Sequence, residues 1–533
     1  MSQQWNDKDR ALVTDMMRRG AGRRDVLRLL GAGGMAMASA GTLLSSAGRA
    51  FAATPVRGGS IRVAGSASSN SDTLDPAKAS KGVDYVRISA YYNRLTVLDG
   101  SGAPQMELAE SVESADAQTW TVKLKSGVTF HNGQSLTSAD VVYSLARHLD
   151  EAVGSKANSI AKQMTSIRAL DPLTVEIGLE APNADLPTLL ALHHFMIIAD
   201  GTTDFSTANG TGPFMSEVFE PGVRSVGVRN PNYFKNGYPY LDSFEFFGIA
   251  DESARVNALL SGDVQIAGTV KPQYLRLVQD NPDITLVRNN AGNYTNLNVR
   301  LDLDPGSRDG FVQGVKHLLN RELIVNSVLR GVGEVGNDQP VPASNFYYNN
   351  DLQAAAFDPD LARHFFEQAG VMGETIPIVA SDAADLSVEM AIVLQQAGSE
   401  IGMKFDIQRV PADGYWSNYW LKAPTHFGNI NPRPTPDAYF SLFYASDAPW
   451  NESQFRSERF DSMLREARGL LDTDRRKAIY GDMQAMVANE AGTAIPARIG
   501  GTDATSANVQ GLEPHPLGGL MGYGFAEHVW LNS

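Results

Sequence analysis

The alternation of strand-like and helix-like segments along this chain predicts an α/β protein with mixed sheets in more than one lobe. Three observations carry that expectation. Period-two stretches such as Trp120-Thr121-Val122-Lys123-Leu124-Lys125 put apolar side chains on one face, as half-buried strands do. Amphipathic stretches opened by Asp or Thr recur between them, as capped helices do. The chain has 533 residues, 43% hydrophobic and 20% charged. That is a globular composition at a length beyond one compact core, so two or three domains are expected.

The first element is a leader. Gly22 to Pro55 reads GRRDVLRLLGAGGMAMASAGTLLSSAGRAFAATP. Each Gly would cost a buried helix about 1 kcal/mol against Ala, and Ser, Thr and Gly dilute the run below what a membrane span needs. A charged start, a modest apolar middle and an Ala50-Phe51-Ala52 end together read as an export signal. Arg23 and Arg24 sharpen the reading. Gly22 to Arg28 resembles the twin-arginine form S/T-R-R-x-F-L-K, departing from it at Gly22, Val26 and Arg28. Cleavage after Ala52 would start the mature chain at Ala53, in the periplasm and without a lipid anchor.

Charge and cysteine content exclude several functions. The formal charge is −15, and the leader is rich in arginine, so its removal leaves a chain still more acidic. An acidic surface argues against nucleic acid and anionic lipid as partners. With no cysteine, disulfides, thiolate metal sites, a Cys nucleophile and a lipidated cysteine are all excluded. No cofactor motif is present, and no cofactor is expected.

The elements after Leu124 follow in order. Ser126-Gly127 turns the chain, and Thr137 with Asp140 opens a helix carrying Val141, Val142, Leu145 and Leu149. Asp251 caps a helix stopped at Gly262, and Val264 and Ile266 begin a strand. Asp309 precedes one helix reaching Gly331, and Asp358 another ending at Gly370. Val388 to Ile401 reads as helix, and Gly402 leads into the strand Met403 to Ile407. Amphipathic helices cover Arg459 to about Gly469 and Asp474 to Asn489. His193-His194, flanked by Leu189 to Leu192 and Phe195 to Ile198, reads as buried in a helix.

Blocks along the chain carry a family resemblance. Leu108 to Asp150 reads LAESVESADAQTWTVKLKSGVTFHNGQSLTSADVVYSLARHLD. It is followed in order by GTGPF from Gly210, RNPNYFKNGYPYLDSFEF from Arg229, ARVNALLSGDVQIA from Ala254 and NRELIVNSVLRGVGEVGNDQPVP from Asn320. The chain thereby resembles the family 5 extracellular solute-binding proteins that serve ABC importers of peptides, nickel complexes and opines. The resemblance covers essentially all of the chain after the leader. It implies a two-lobed periplasmic binding protein clamp that closes on a small-molecule solute and is read by the membrane permease subunits of the importer. A monomer is expected. The implied division is residues 1–52 as leader, 53–298 as lobe I with a subdomain at about 96–205, 299–498 as lobe II, and 499–533 as a return to lobe I. The crossovers are expected near Asn293 to Arg300 and near Ile495 to Gly501.

The same resemblance implies ligand-facing positions. In lobe I they are Ser68 and Asn70 in a loop of small polar residues, Tyr92 and Asn93, and Thr211 between two glycines. In lobe II they are Asn337, Asp338 and Gln339, the aromatic pair Trp416 and Trp420, and Asn431 and Arg433. Peptide-binding relatives carry W-x-x-D-x-x-D-P-D-N-F near here, and their first Asp holds the ligand's α-amino group. In FGNINPRPTPDAYFS, Phe427 to Ser441, Pro432 stands at that position and Thr435 at the second Asp. An anchor for an ammonium is missing there and a guanidinium is present, which favours an anionic solute such as an opine-like or sugar-acid conjugate. The competing expectation that Arg433 pairs with a neighbouring acid stays open, and Asp437 is expected to be structural.

Two other classes compete. An exported hydrolase finds no G-x-S-x-G, H-E-x-x-H or P-loop. A nickel-type metal-chelate binder finds scattered histidines, with His426 the one candidate ligand.

Overall fold

One sheet passes through both lobes and positions everything else. The structure is a computed structural model describing residues 55–66, 68–515 and 517–532. The leader residues Arg23, Arg24, Ala50 and Ala52 lie outside the described residues. Arg57–Ser533 form a single unit.

On the lobe I side the sheet runs from Phe214–Glu220 through Arg224–Arg229 and Ser243–Gly248 to Ser60–Gly65 and Ile266–Ala267. Ser60–Gly65 is parallel to both of its neighbours, whereas the outer pairs are antiparallel, so the sheet is mixed. On the lobe II side lie Lys404–Arg409, Thr375–Ala380 and Thr425–Ile430, paired in parallel. Two long strands, Ile284–Val299 and Ala497–Ser506, run antiparallel between these sides. The first pairs with Thr425–Ile430 in lobe II and the second with Ile266–Ala267 in lobe I. Their register shifts between Asn289 and Asn293, a bulge that adds local bend and twist.

The apolar core divides accordingly. In lobe I, Val63, Val86, Phe244 and Phe246 pack with Val509, Phe525 and Val529 from the end of the chain. A separate cluster between Leu95 and Ala199 includes Trp120, Val122, Val175 and Ile177 of a four-stranded antiparallel sheet. Lobe II holds one cluster around Phe366, Ile378 and Phe405, and a second around Phe440, Phe460 and Tyr480. Each fully buried side chain of this size contributes about 1.5–3 kcal/mol, so each cluster is a core in its own right.

Local signals explain most helix starts. Asp140 Oδ2 accepts from the Thr137 N–H at 2.7 Å and opens helix Ser138–Ala146. Asp251 and Asp358 accept from Ala254 and Leu361 at 2.7 and 2.9 Å, at the starts of Glu252–Leu260 and Pro359–Gln368. The single helix expected from Asp309 to Gly331 is instead broken. Helix Phe311–Leu318 begins after Gly310 at φ +92°, and the Asn320 side chain accepts from the Leu323 N–H to start a new turn. That side chain competes with continuation of the helix. His193 and His194 also leave the expected helix. They lie in the 3₁₀ turn His193–Phe195, because Leu192 before it is extended.

Candidate functional site

A cavity of about 1810 Å³ lies between the lobes. Its lobe I wall is built from three distant segments. Tyr85, on helix Gly82–Tyr91, packs its ring against His193 at 5.0 Å, His194 at 5.6 Å and Tyr523 at 5.4 Å. Tyr523 reaches that place through an unusual turn. Leu520, Met521, Gly522 and Tyr523 all have left-handed φ, between +51° and +72°. Side-chain-bearing residues adopt that region only when their surroundings hold them there. Two hydrogen bonds do so: His193 Nε2 donates to Gly522 O at 3.0 Å, and the Leu520 N–H donates to Asp503 Oδ2 at 2.5 Å. Burial depresses both histidines below the ordinary imidazole pKa, His193 the further, which favours the neutral form of both rings.

The lobe II wall follows strand Thr425–Ile430. Asn431-Pro432-Arg433-Pro434 leads into helix Pro436–Phe443, whose Thr435 cap accepts from the Ala438 N–H at 3.2 Å. Proline on both sides restricts the backbone at Arg433. The Arg433 guanidinium lies over the Phe443 ring at 5.6 Å and the Trp450 ring at 5.8 Å. Its Nε is buried with no hydrogen-bond partner. Burial lowers its pKa, opposed only by the tyrosines Tyr439 and Tyr294. The neighbouring acid is taken by another cation: Asp437 pairs with Arg468 at 2.9 Å. Burial raises the Asp437 carboxyl, and Arg468 opposes the rise.

The lobes touch at one side of the cavity. Asp185 pairs with Arg476 at 2.5 Å, and the Ala184 N–H donates to the Arg468 carbonyl at 2.8 Å. Arg476 also lies over the Tyr347 and Tyr480 rings, at 5.2 and 5.3 Å.

Of the residues expected to face ligand, Asn431 and Arg433 line this cavity. The rest lie elsewhere. Ser68 bonds to Asp72 and Arg87, a buried ion pair of lobe I, and Asn70 is exposed beside Gly222. Tyr92 is buried. Asn93 donates to Glu107 and to the Tyr233 hydroxyl and accepts from Thr211 Oγ1. The glycines around Thr211 serve packing, since a Cβ at Gly210 or Gly212 would meet the Tyr91 backbone at 2.1 or 2.4 Å. Asn337 donates to Tyr348 and Leu352, Asp338 holds Arg321 at 2.8 Å, and Gln339 donates to Asn349. Trp416 is exposed, and Trp420 donates Nε1 to Glu452 at 2.6 Å. The ring series Trp416–Trp420–Trp450 meets the cavity at Trp450, which sequence reasoning did not single out.

Tyr85, Asp503 and Tyr523 were also missed; His193 is buried as expected and His194 is half-buried, and both nevertheless line the cavity. The density of glycine in GGLMGYG, Gly518 to Gly524, was the available signal for the unusual turn. His426 has both ring nitrogens engaged: Nδ1 donates to Ala423 O, and Nε2 accepts from the Leu421 N–H. Among the described residues no cluster of three or more His, Cys, Asp or Glu could hold a metal, and no helix is long and apolar enough to cross a membrane.

Comparison with known proteins agrees with this architecture. Residues 103–451 match the family described as bacterial extracellular solute-binding proteins, family 5. The chain is 25% identical over 496 residues to Heme-binding protein A of Haemophilus influenzae, covering 85% of this chain and 89% of that protein. It is 24% identical over 352 residues to the Glutathione-binding protein GsiB of Escherichia coli (strain K12), covering 64% of this chain and 68% of that protein. Among solved structures, HbpA2 from Haemophilus parasuis superposes with a TM-score of 0.81 at 21% identity, over 89% of this chain and all of that one. The chain belongs to family 5 of the bacterial extracellular solute-binding proteins, the components that bind solutes and deliver them to the permeases of ABC importers.

Proposed function

We propose that this protein captures a small anionic solute, peptide-like, opine-like or a sugar acid, in the cavity between its lobes and releases it to the permease. One observation carries the reading: Arg433 lines the cavity from lobe II, and no carboxylate of the described residues pairs with its guanidinium. A guanidinium in that state favours a carboxylate or phosphate guest. A glutathione-binding relative fits the same chemistry, because glutathione is a carboxylate-bearing peptide.

Capture without bond-breaking is supported by the two histidines of the wall. Each has its Nε2 on a backbone carbonyl, Gly522 or Ala79, so neither activates a hydroxyl nucleophile through that nitrogen. Delivery to the periplasm by the twin-arginine route, as a chain with no lipid anchor, is supported by Arg23-Arg24, Ala50-Phe51-Ala52 and the lack of cysteine.

A thermal-shift screen of di- and tripeptides, glutathione, opines and sugar acids identifies the best anionic solute. Arg433→Ala is then expected to weaken that solute by at least about 1.5 kcal/mol, the low end for a charge-assisted hydrogen bond, measured by calorimetry. Unchanged affinity overturns the role of Arg433.

A further inference from the structure

The aspartate, glutamate, lysine and arginine side chains around the cavity sort into three groups. Asp185 and Asp437 are paired with Arg476 and Arg468. Lys156, Lys271, Arg330, Asp385 and Glu389 are exposed to solvent. Arg433 and Asp503 alone among these charges are at least partly buried and have no countercharge. They stand on opposite lobes.

Asp503 is 2% exposed and lies on strand Ala497–Ser506, in the cavity wall. Its Oδ1 accepts from the Thr269 N–H at 2.9 Å and its Oδ2 from the Leu520 N–H at 2.5 Å. Both donors belong to residues with left-handed φ, +58° at Thr269 and +51° at Leu520. The backbone on both sides is thus held in an unfavourable conformation in order to present amides to this carboxylate. Two backbone amides use one lone pair on each oxygen and leave acceptor capacity on both. They do not cancel the formal charge, and a buried carboxylate without a cation is costly. Across the cavity, position 432 is proline, so that side supplies no carboxylate there.

Building on the reading of Arg433 above, we propose that Asp503 is the anchor for an ammonium group of the solute. The guest is then a zwitterion, held with its amine against lobe I and its acid group against Arg433 of lobe II. Each end neutralises one uncompensated charge, and both are satisfied together only when the lobes close on one molecule. The polarity of the guest follows from which lobe carries which charge.

The test compares matched solutes on the wild-type protein by native mass spectrometry and calorimetry. One panel contains free di- and tripeptides and glutathione, a second their N-acetylated forms, and a third amine-free sugar acids. The expected result is retention from the first panel, with the N-acetylated partner at least tenfold weaker. In Asp503→Asn that discrimination is expected to fall below about threefold. Equal binding of free and N-acetylated partners, or preference for amine-free acids, overturns the role of Asp503 and leaves Arg433 standing. Retention of no anionic solute from any panel overturns both. If Asp503→Asn fails to fold because it loses a clamp on Leu520 and Thr269, the wild-type comparison still decides.

Discussion

Two arginines of lobe II show what separates scaffold from site. Arg321 is 4% exposed and donates twice to Asp338, at 2.8 and 3.0 Å, and once each to the carbonyls of Lys316 and Ala355. Asp338 in turn accepts from the Ile495 N–H at 2.8 Å. Both terminal nitrogens of Arg321 are committed to protein and its charge is matched by Asp338, although its Nε has no partner. Arg433 also has an unpartnered Nε, but it lies on two aromatic rings with no carboxylate paired to it and lines the cavity. The two are the same residue type in the same lobe. The difference lies in whether the fold supplies the countercharge or leaves it to a ligand.

The comparison is sharpest if the two arginines are exchanged in their effects. Arg321→Ala is expected to cost about 3–5 kcal/mol of stability, since it strands a buried Asp338, while solute affinity in the folded fraction stays unchanged. Urea unfolding and calorimetry read the two quantities. Arg433→Ala should do the reverse, with a stability change of about 1 kcal/mol or less. A large unfolding effect from Arg433→Ala would place it in the scaffold and erase the distinction.

A buried carboxylate served only by neutral donors tests the same idea from the other sign. Glu452 accepts from Trp420 Nε1 and Asn296 Nδ2 at 2.6 Å each, and burial pushes its carboxyl from 4.5 up to about 7. The native protein then holds this proton longer than the unfolded chain does. Its contribution to stability is complete below pH 4.5 and is lost as pH rises through 7. At about 1.4 kcal/mol per pH unit the loss is on the order of 3 kcal/mol. Chemical denaturation of Glu452→Gln from pH 5 to 8 should show that decline flattened, and a parallel decline in both proteins would refute the assignment.

Two smaller effects bound the scaffold side. Gly212→Ala drives a Cβ to 2.4 Å from the Tyr91 carbonyl carbon, so a loss of about 1–3 kcal/mol is expected in thermal unfolding, with solute affinity retained. Asp358→Ala removes the cap on Leu361 and should cost about 1 kcal/mol. An affinity change from Gly212→Ala would move its loop back toward the ligand.

The local grammar was readable from the sequence alone. Asp140, Asp251 and Asp358 act within three residues of themselves, and Trp120 to Leu124 alternates as a strand must, so composition and spacing were enough. The order of the family blocks and the Pro432, Arg433 and Thr435 departure were equally visible. Which polar residue meets the cavity was decided only in three dimensions. Asn337 to Gln339 and Asn93 looked available in sequence, but their partners lie at Tyr348, Asn349, Ile495 and Tyr233. The wall of Tyr85, His193 and Tyr523 gathers segments hundreds of residues apart, through a left-handed turn clamped by Asp503. Propensity and capping act over a few residues, whereas the pairing of a buried charge is settled by whatever the fold brings beside it. The sequence could therefore name the building blocks and the architecture, and only the packed chain could show that Arg433 and Asp503 were left without a protein countercharge.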